Sequence, residues 1–253
     1  MMRRMVWMLG LATFAAACHH GPKVQAPAPR AELQLDQAMA LYRRGDYHRA
    51  LLVLQRLTFE FGPNQPEAVA ARYYTAECYF QTGDRVQAAH EFRKVADEFP
   101  TSEYAPLALL RAGDSNLRLW RRAELDPTYG ETALSIYQEL AGRYPDSDAA
   151  ARARPHVRRL QNQFAEKTYR NGMFYLRRKA YDSAIIYFKD VIANYPEAKL
   201  APDALLRLVD SYRAIRYTDE LKETCDHLRR FYPQATGLAK SCPAPADTTG
   251  TSS

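Results

Sequence analysis

From residue 34 to residue 233, apolar side chains return every three or four positions, in segments closed by glycine, aspartate or proline. This is the patterning of short amphipathic helices packed in series. Ala88, Phe92, Val95, Ala96 and Phe99 share one helical face, and Ala184, Tyr187, Phe188, Val191, Ile192 and Tyr195 share another. The segments are copies of one another. A shift of 38 residues lays Ala38 on Ala76, Gly45 on Gly83, Asp46 on Asp84, Ala50 on Ala88, Leu54 on Phe92, Leu57 on Val95 and Phe61 on Phe99. The second half of the unit returns as Ala133, Tyr137, Leu140, Tyr144 and Pro145, then as Ala184, Phe188, Val191, Tyr195 and Pro196. It returns a last time as Leu221, Cys225, Leu228, Tyr232 and Pro233. Repetition at this period marks a solenoid. Each copy predicts two helices and a stop: the Gly-Asp pairs permit a tight turn, and the proline after the aromatic ends the second helix. The expected fold class is all-α, a solenoid of about five helix pairs with no sheet.

The unit resembles the tetratricopeptide repeat, with small residues where helices approach and Tyr79, Tyr175 and Tyr212 at the first-helix aromatic position. Repeats 1 to 3 are expected over 34–147 and repeats 4 and 5 over 148–238. Two features depart from a regular array. The stretch "LWRRAELDPTYGE" (119–131) lengthens the turn of the third copy. The fourth copy opens with a long helical stretch, about Ala149 to Arg178, in which Pro155 marks either a kink or a later start. Its Arg158, Arg159, Gln161 and Lys167 predict an exposed face. Residues 239–253, rich in Pro, Ser and Thr, read as a disordered tail.

The amino terminus has a different character. Arg3 and Arg4 precede a mostly apolar run from Met5 to Ala17, too short to span a bilayer and built like a signal peptide over residues 1–17. Ala15, Ala16 and Ala17 lead directly into Cys18, which resembles the bacterial lipobox; Cys18 is the expected lipidation site. Residues 18–33, with Pro22, Pro27 and Pro29, then form a stiff tether. His19 rather than an aspartate follows the cysteine, which favours a lipid-anchored protein on the periplasmic face of the outer membrane.

Composition narrows the function classes. Loss of the leader lowers the formal charge of +6 by the two arginines it carries. The remaining basic residues are scattered among acids, so nucleic acid is set aside as a partner. With Cys18 lipidated, three cysteines remain: Cys78 reads as a small core residue, and Cys225 and Cys242 either close a loop or stay apart, Cys242 falling in the expected tail. The six histidines, His19, His20, His48, His90, His156 and His227, show no metal-site spacing. Neither a nucleophile elbow nor a phosphate-cradling glycine loop occurs in the sequence. No catalytic residue, metal or cofactor is therefore expected.

The lipobox, the proline-bearing tether, five repeats, the widened turn around "ELDP" and the stretch from "YPDSDAAARARPHVRRL" through "YFKDVIANYPEAKLAPDAL" together resemble the BamD family, tetratricopeptide lipoproteins of the outer-membrane β-barrel assembly machinery. That resemblance implies a non-enzymatic subunit. It would dock on the POTRA domains of the barrel-forming subunit, BamA, and help receive unfolded outer-membrane proteins through their C-terminal β-signals. First helices of stacked repeats line a concave groove. The groove candidates are Tyr42, Arg43, Tyr73, Glu77, Phe80 and Gln81, with Tyr73 or Phe80 stacking on a terminal aromatic and Arg43 meeting its carboxylate. Each aromatic would serve equally well as packing between repeats. The alternative is a periplasmic scaffold for cell division, the Tol system or peptidoglycan enzymes, against which the lipobox and the lack of heptads before residue 34 argue.

Overall fold

The computed structural model describes residues 30–62, 65–120 and 126–243. The leader, Cys18, most of the tether, residues 121–125 of the widened turn and the end of the tail lie outside the described residues. Five antiparallel pairs stack in order: α1 (Arg30–Arg43) with α2 (Tyr47–Glu60), α3 (Pro66–Thr82) with α4 (Arg85–Glu98), and α5 (Tyr104–Leu119) with α6 (Thr128–Arg143). α7 (Asp148–Arg177) with α8 (Tyr181–Asn194) and α9 (Ala201–Ile215) with α10 (Thr218–Phe231) follow, and a short α11 (Leu238–Ser241) is the last helix among the described residues. Among the described residues there is no strand.

The turns form as the sequence dictates. Gly45 and Gly83 take φ of +82° and +96°, a left-handed conformation that a side chain would resist. Asp84 then caps α4, its carboxylate accepting from the Gln87 N–H. At the far end of each second helix the aromatic before the proline closes the last turn. The N–H groups of Phe61, Phe99, Tyr144, Tyr195 and Tyr232 all donate to the carbonyl four residues back, and after the last four of them the following proline allows no further turn. Two of these tyrosines also join repeats: the Tyr144 hydroxyl donates to the Pro100 carbonyl at 2.7 Å, and that of Tyr232 to the Pro196 carbonyl at 2.9 Å.

Packing follows a rule of large against small. Phe92, Tyr137 and Phe188 on the second helices are fully buried. A Cβ built on Gly113 would stand 2.5 Å from the Tyr137 ring, and one on Gly172 2.6 Å from the Phe188 ring. The equivalent partners in the first two repeats are Ala38 for Leu54 and Ala76 for Phe92, all buried. Gly172→Ala is therefore expected to lower the unfolding midpoint. Overpacking costs about 1–3 kcal/mol and outweighs a helix-propensity gain of about 1 kcal/mol. Gly142→Ala, where nothing lies within 4 Å, is expected to raise it. A thermal melt of the two variants decides the matter, and stabilisation by both would contradict this packing.

Four expectations are corrected. The helix at the amino terminus begins at Arg30, inside the segment read as tether. α7 begins at Asp148 because Ser147 caps it, its hydroxyl accepting from the Ala150 N–H at 3.1 Å, so Pro155 is not a start. Pro155 is exposed within that 30-residue helix, where solvent satisfies the carbonyl it cannot reach. Gln161 is buried rather than exposed, since it falls on the face that carries Leu160, Phe164 and Ala165. The tail is ordered as far as residue 243, because Cys225 and Cys242 form a disulfide with Cα atoms 5.5 Å apart. Arg229 reinforces it by donating to the carbonyls of Cys242 and Pro243.

Candidate peptide-binding groove

The first helices of repeats 1 to 3 and the beginning of α7 enclose a cleft of about 290 Å³. Tyr42 comes from α1; Tyr73, Tyr74 and Glu77 from α3; Leu107, Leu110 and Arg111 from α5; and Arg152 from α7. Glu77 is the centre. It is only 5% exposed, a carboxylate position that demands full satisfaction. Arg111 supplies a fork, Nε to Oε1 at 2.5 Å and Nη2 to Oε2 at 2.8 Å. The Tyr42 hydroxyl donates to Oε2 at 3.2 Å and the Tyr73 hydroxyl to Oε1 at 3.3 Å. Arg111 reaches on to Asp114 at 3.4 Å, and Asp114 accepts from the Tyr137 hydroxyl at 2.7 Å. A polar ladder thus crosses three repeats inside an otherwise apolar stack.

Electrostatics keep the tyrosines neutral. Burial, with the Glu77 carboxylate beside them, pushes the Tyr42 and Tyr73 hydroxyls well above the usual phenol range. They therefore act as donors at any physiological pH. Burial lowers the proton affinity of Arg111, and the hydrogen bonds and charge of Glu77 more than restore it. The neighbouring Cys78 thiol is pushed up to about 12 by burial and by Glu77, which makes it an inert core residue. Around the cleft the rings meet edge to face: Tyr42 and Tyr74 at 5.0 Å, Tyr73 and Tyr74 at 5.4 Å.

Of the six residues the sequence proposed, the structure brings Tyr42, Tyr73 and Glu77 to one cleft. Arg43 and Gln81 are exposed and do not line it. Phe80 is buried, and its ring lies under guanidinium carbons of Arg111 at 3.7 Å and Arg85 at 4.1 Å. Two planar cations at those distances fit only on opposite faces, so neither face of Phe80 is open to a ligand ring. Sequence reasoning missed Tyr74, Arg111 and Arg152. For Arg111 a signal exists: it interrupts the apolar run "PLALLRAG" of α5, where a charge requires a partner. Among the described residues no helix is long and apolar enough to cross a membrane, and no cluster of three metal-ligating side chains occurs.

Comparisons with known proteins place the chain in a family. The family described as YfiO, outer membrane lipoprotein, matches residues 27–228. The chain is 25% identical over 217 residues to the outer membrane protein assembly factor BamD of Xylella fastidiosa (strain 9a5c), covering 80% of this chain and 73% of that protein. It is 24% identical over 219 residues to BamD of Vibrio cholerae serotype O1, covering 82% and 89%. A 97-residue stretch is 33% identical to BamD of Caulobacter vibrioides, covering 38% and 32%. Among solved structures, a thermophilic TPR protein of Thermus thermophilus overlays loosely, with a TM-score of 0.39 and 20% identity over 83% of this chain and 95% of that one.

Proposed function

Because this chain belongs to the YfiO family of outer membrane lipoproteins, we propose that it serves as a subunit of the machinery that assembles outer-membrane proteins. It works by binding, without catalysis. Cys18 carries the lipid that holds it to the periplasmic face of the outer membrane, and the C-terminal repeats dock on the POTRA domains of a BamA-like barrel subunit. The disulfide supports an oxidising compartment, as an exported protein meets.

The observation that carries the client-binding part is the cleft of Tyr42, Tyr73 and Tyr74 with Arg152 at its rim. An unfolded outer-membrane protein that ends in an aromatic residue inserts that ring beside Tyr74. Its terminal carboxylate meets Arg152, because Arg111 is already held by Glu77 and Arg43 lies outside the cleft. Arg152 is exposed, so Arg152→Gln should leave the fold intact. It is expected to reduce crosslinking of a C-terminal strand peptide about fivefold or more, with helical content and unfolding midpoint unchanged. Undiminished crosslinking would remove Arg152 from the site.

A further inference from the structure

The cleft has a partial copy in the C-terminal half. A shift of 96 residues superimposes Tyr73 on Tyr169, Ala76 on Gly172, Phe92 on Phe188, Arg111 on Arg207, Asp114 on Asp210 and Ser115 on Ser211. The structure repeats the local bonding. Ser115 donates to the Arg111 carbonyl at 2.8 Å and Ser211 to the Arg207 carbonyl at 2.8 Å; Arg111 pairs with Asp114 and Arg207 with Asp210, at 3.4 and 2.7 Å. Tyr169 stands by the Arg207 guanidinium as Tyr73 stands by the Glu77–Arg111 pair. One member has changed: the place of Glu77 is taken by Met173.

The consequence is visible on a single atom. Nε of Arg111 donates to Glu77. Nε of Arg207 is shielded from solvent and has no hydrogen-bond partner. The charge balance shifts in the same direction. Arg111 pairs with two carboxylates, Glu77 and Asp114, whereas Arg207 pairs with Asp210 alone and shares it with Arg213, which lies 3.7 Å from it. Arg213 also donates to the Ser241 carbonyl, which brings no charge. A shielded donor left without a partner costs stability, and a carboxylate supplied from outside would remove that penalty.

We propose that Arg207, with Tyr169 and Met173, is a second binding site, and that it accepts a carboxylate side chain of an extended polypeptide lying along the first helices. The bound acid takes the position Glu77 holds in the N-terminal cleft, with Arg207 Nε as its donor and Met173 as the apolar wall beside it. The proposal rests on the reading of this face as a client-receiving groove. It gives the array two anchors of different chemistry, one for an aromatic terminus and one for an internal acid.

The test uses the full chain in mild detergent and two end-blocked twelve-residue peptides of alternating polar and aromatic residues, identical except for a central Glu or Gln. The Glu peptide is expected to bind about tenfold more tightly. That preference should vanish in Arg207→Gln and in Met173→Glu, which supplies the acid in cis, and persist in Met173→Gln. Met173→Glu alone should also raise the unfolding midpoint by about 2–4 °C. Equal binding of the two peptides, or a preference that survives Arg207→Gln, overturns the proposal while leaving the groove reading in place. If neither peptide binds, both readings are overturned.

Discussion

Arg111→Ala is expected to cost about 3–5 kcal/mol, the loss typical of a buried ion pair stripped of one partner. The reason lies in what remains. Glu77, 5% exposed, would keep only two long tyrosine hydrogen bonds, at 3.2 and 3.3 Å, and no opposite charge on the fork it now occupies. Arg111 also lies against the buried Phe80 ring, so its removal opens that packing. The pair joins α3 to α5, so the damage falls on the interface between the second and third repeats, and the loss should show as unfolding of the N-terminal repeats first. Arg111→Lys keeps the charge without the fork and should fall between the two. Glu77→Leu combined with Arg111→Met should cost less than Arg111→Ala alone, since no unpaired charge is left buried. Urea unfolding of the four proteins measures this order. A loss below about 1 kcal/mol for Arg111→Ala would mean that Glu77 is satisfied without it.

Replacing both Cys225 and Cys242 with serine is expected to cost about 3 kcal/mol, the value for closing a loop of this size in the unfolded chain. The effect should be local to the last repeat. α10 carries only Thr224, Cys225 and Leu228 as buried residues, a thin core for the terminal pair of a solenoid. The covalent tie holds α11 and the half-buried Leu238 over that end, so the segment stands where repeat arrays place a capping helix. Reduction by dithiothreitol should reproduce the loss and speed proteolysis after residue 231. Unchanged proteolysis on reduction would show that Arg213 and Arg229 hold the segment by themselves through their bonds to its carbonyls.

The repeat was legible because two independent signals coincide in the last four copies. Helical periodicity marks the buried face, and the aromatic followed by proline marks where the second helix stops. That is why Ala88, Phe92, Val95 and their counterparts fall in the core, and why α4, α6, α8 and α10 end within a residue of the expected place. The ordered end was not legible. Its Pro, Ser and Thr describe a chain without a core of its own, and a disulfide overrides composition by tying it to someone else's core. Gln161 was misjudged for a similar reason: residue type suggested solvent, while its place on the face of Leu160 and Phe164 decided for the interior.

The candidate site divides the same way. Tyr42, Tyr73 and Glu77 could be named from repeat positions on α1 and α3. Arg111 and Arg152 come from later repeats, and which arginine of a basic helix reaches the rim of the cleft depends on how α7 crosses α5. Phe80 shows the converse error. Its position is correct, but Arg85 and Arg111, distant from each other in sequence, close over both faces of its ring.

Membership of an outer-membrane protein assembly complex is read from the composition of that complex. A tag at the C-terminus, extraction of membranes in mild detergent and identification of the co-purifying proteins would supply it. A large β-barrel protein bearing POTRA domains is expected, retained in the membrane fraction with this chain and lost when Cys18 or the last two repeats are altered. Recovery of division or peptidoglycan proteins, with no barrel among them, would contradict it.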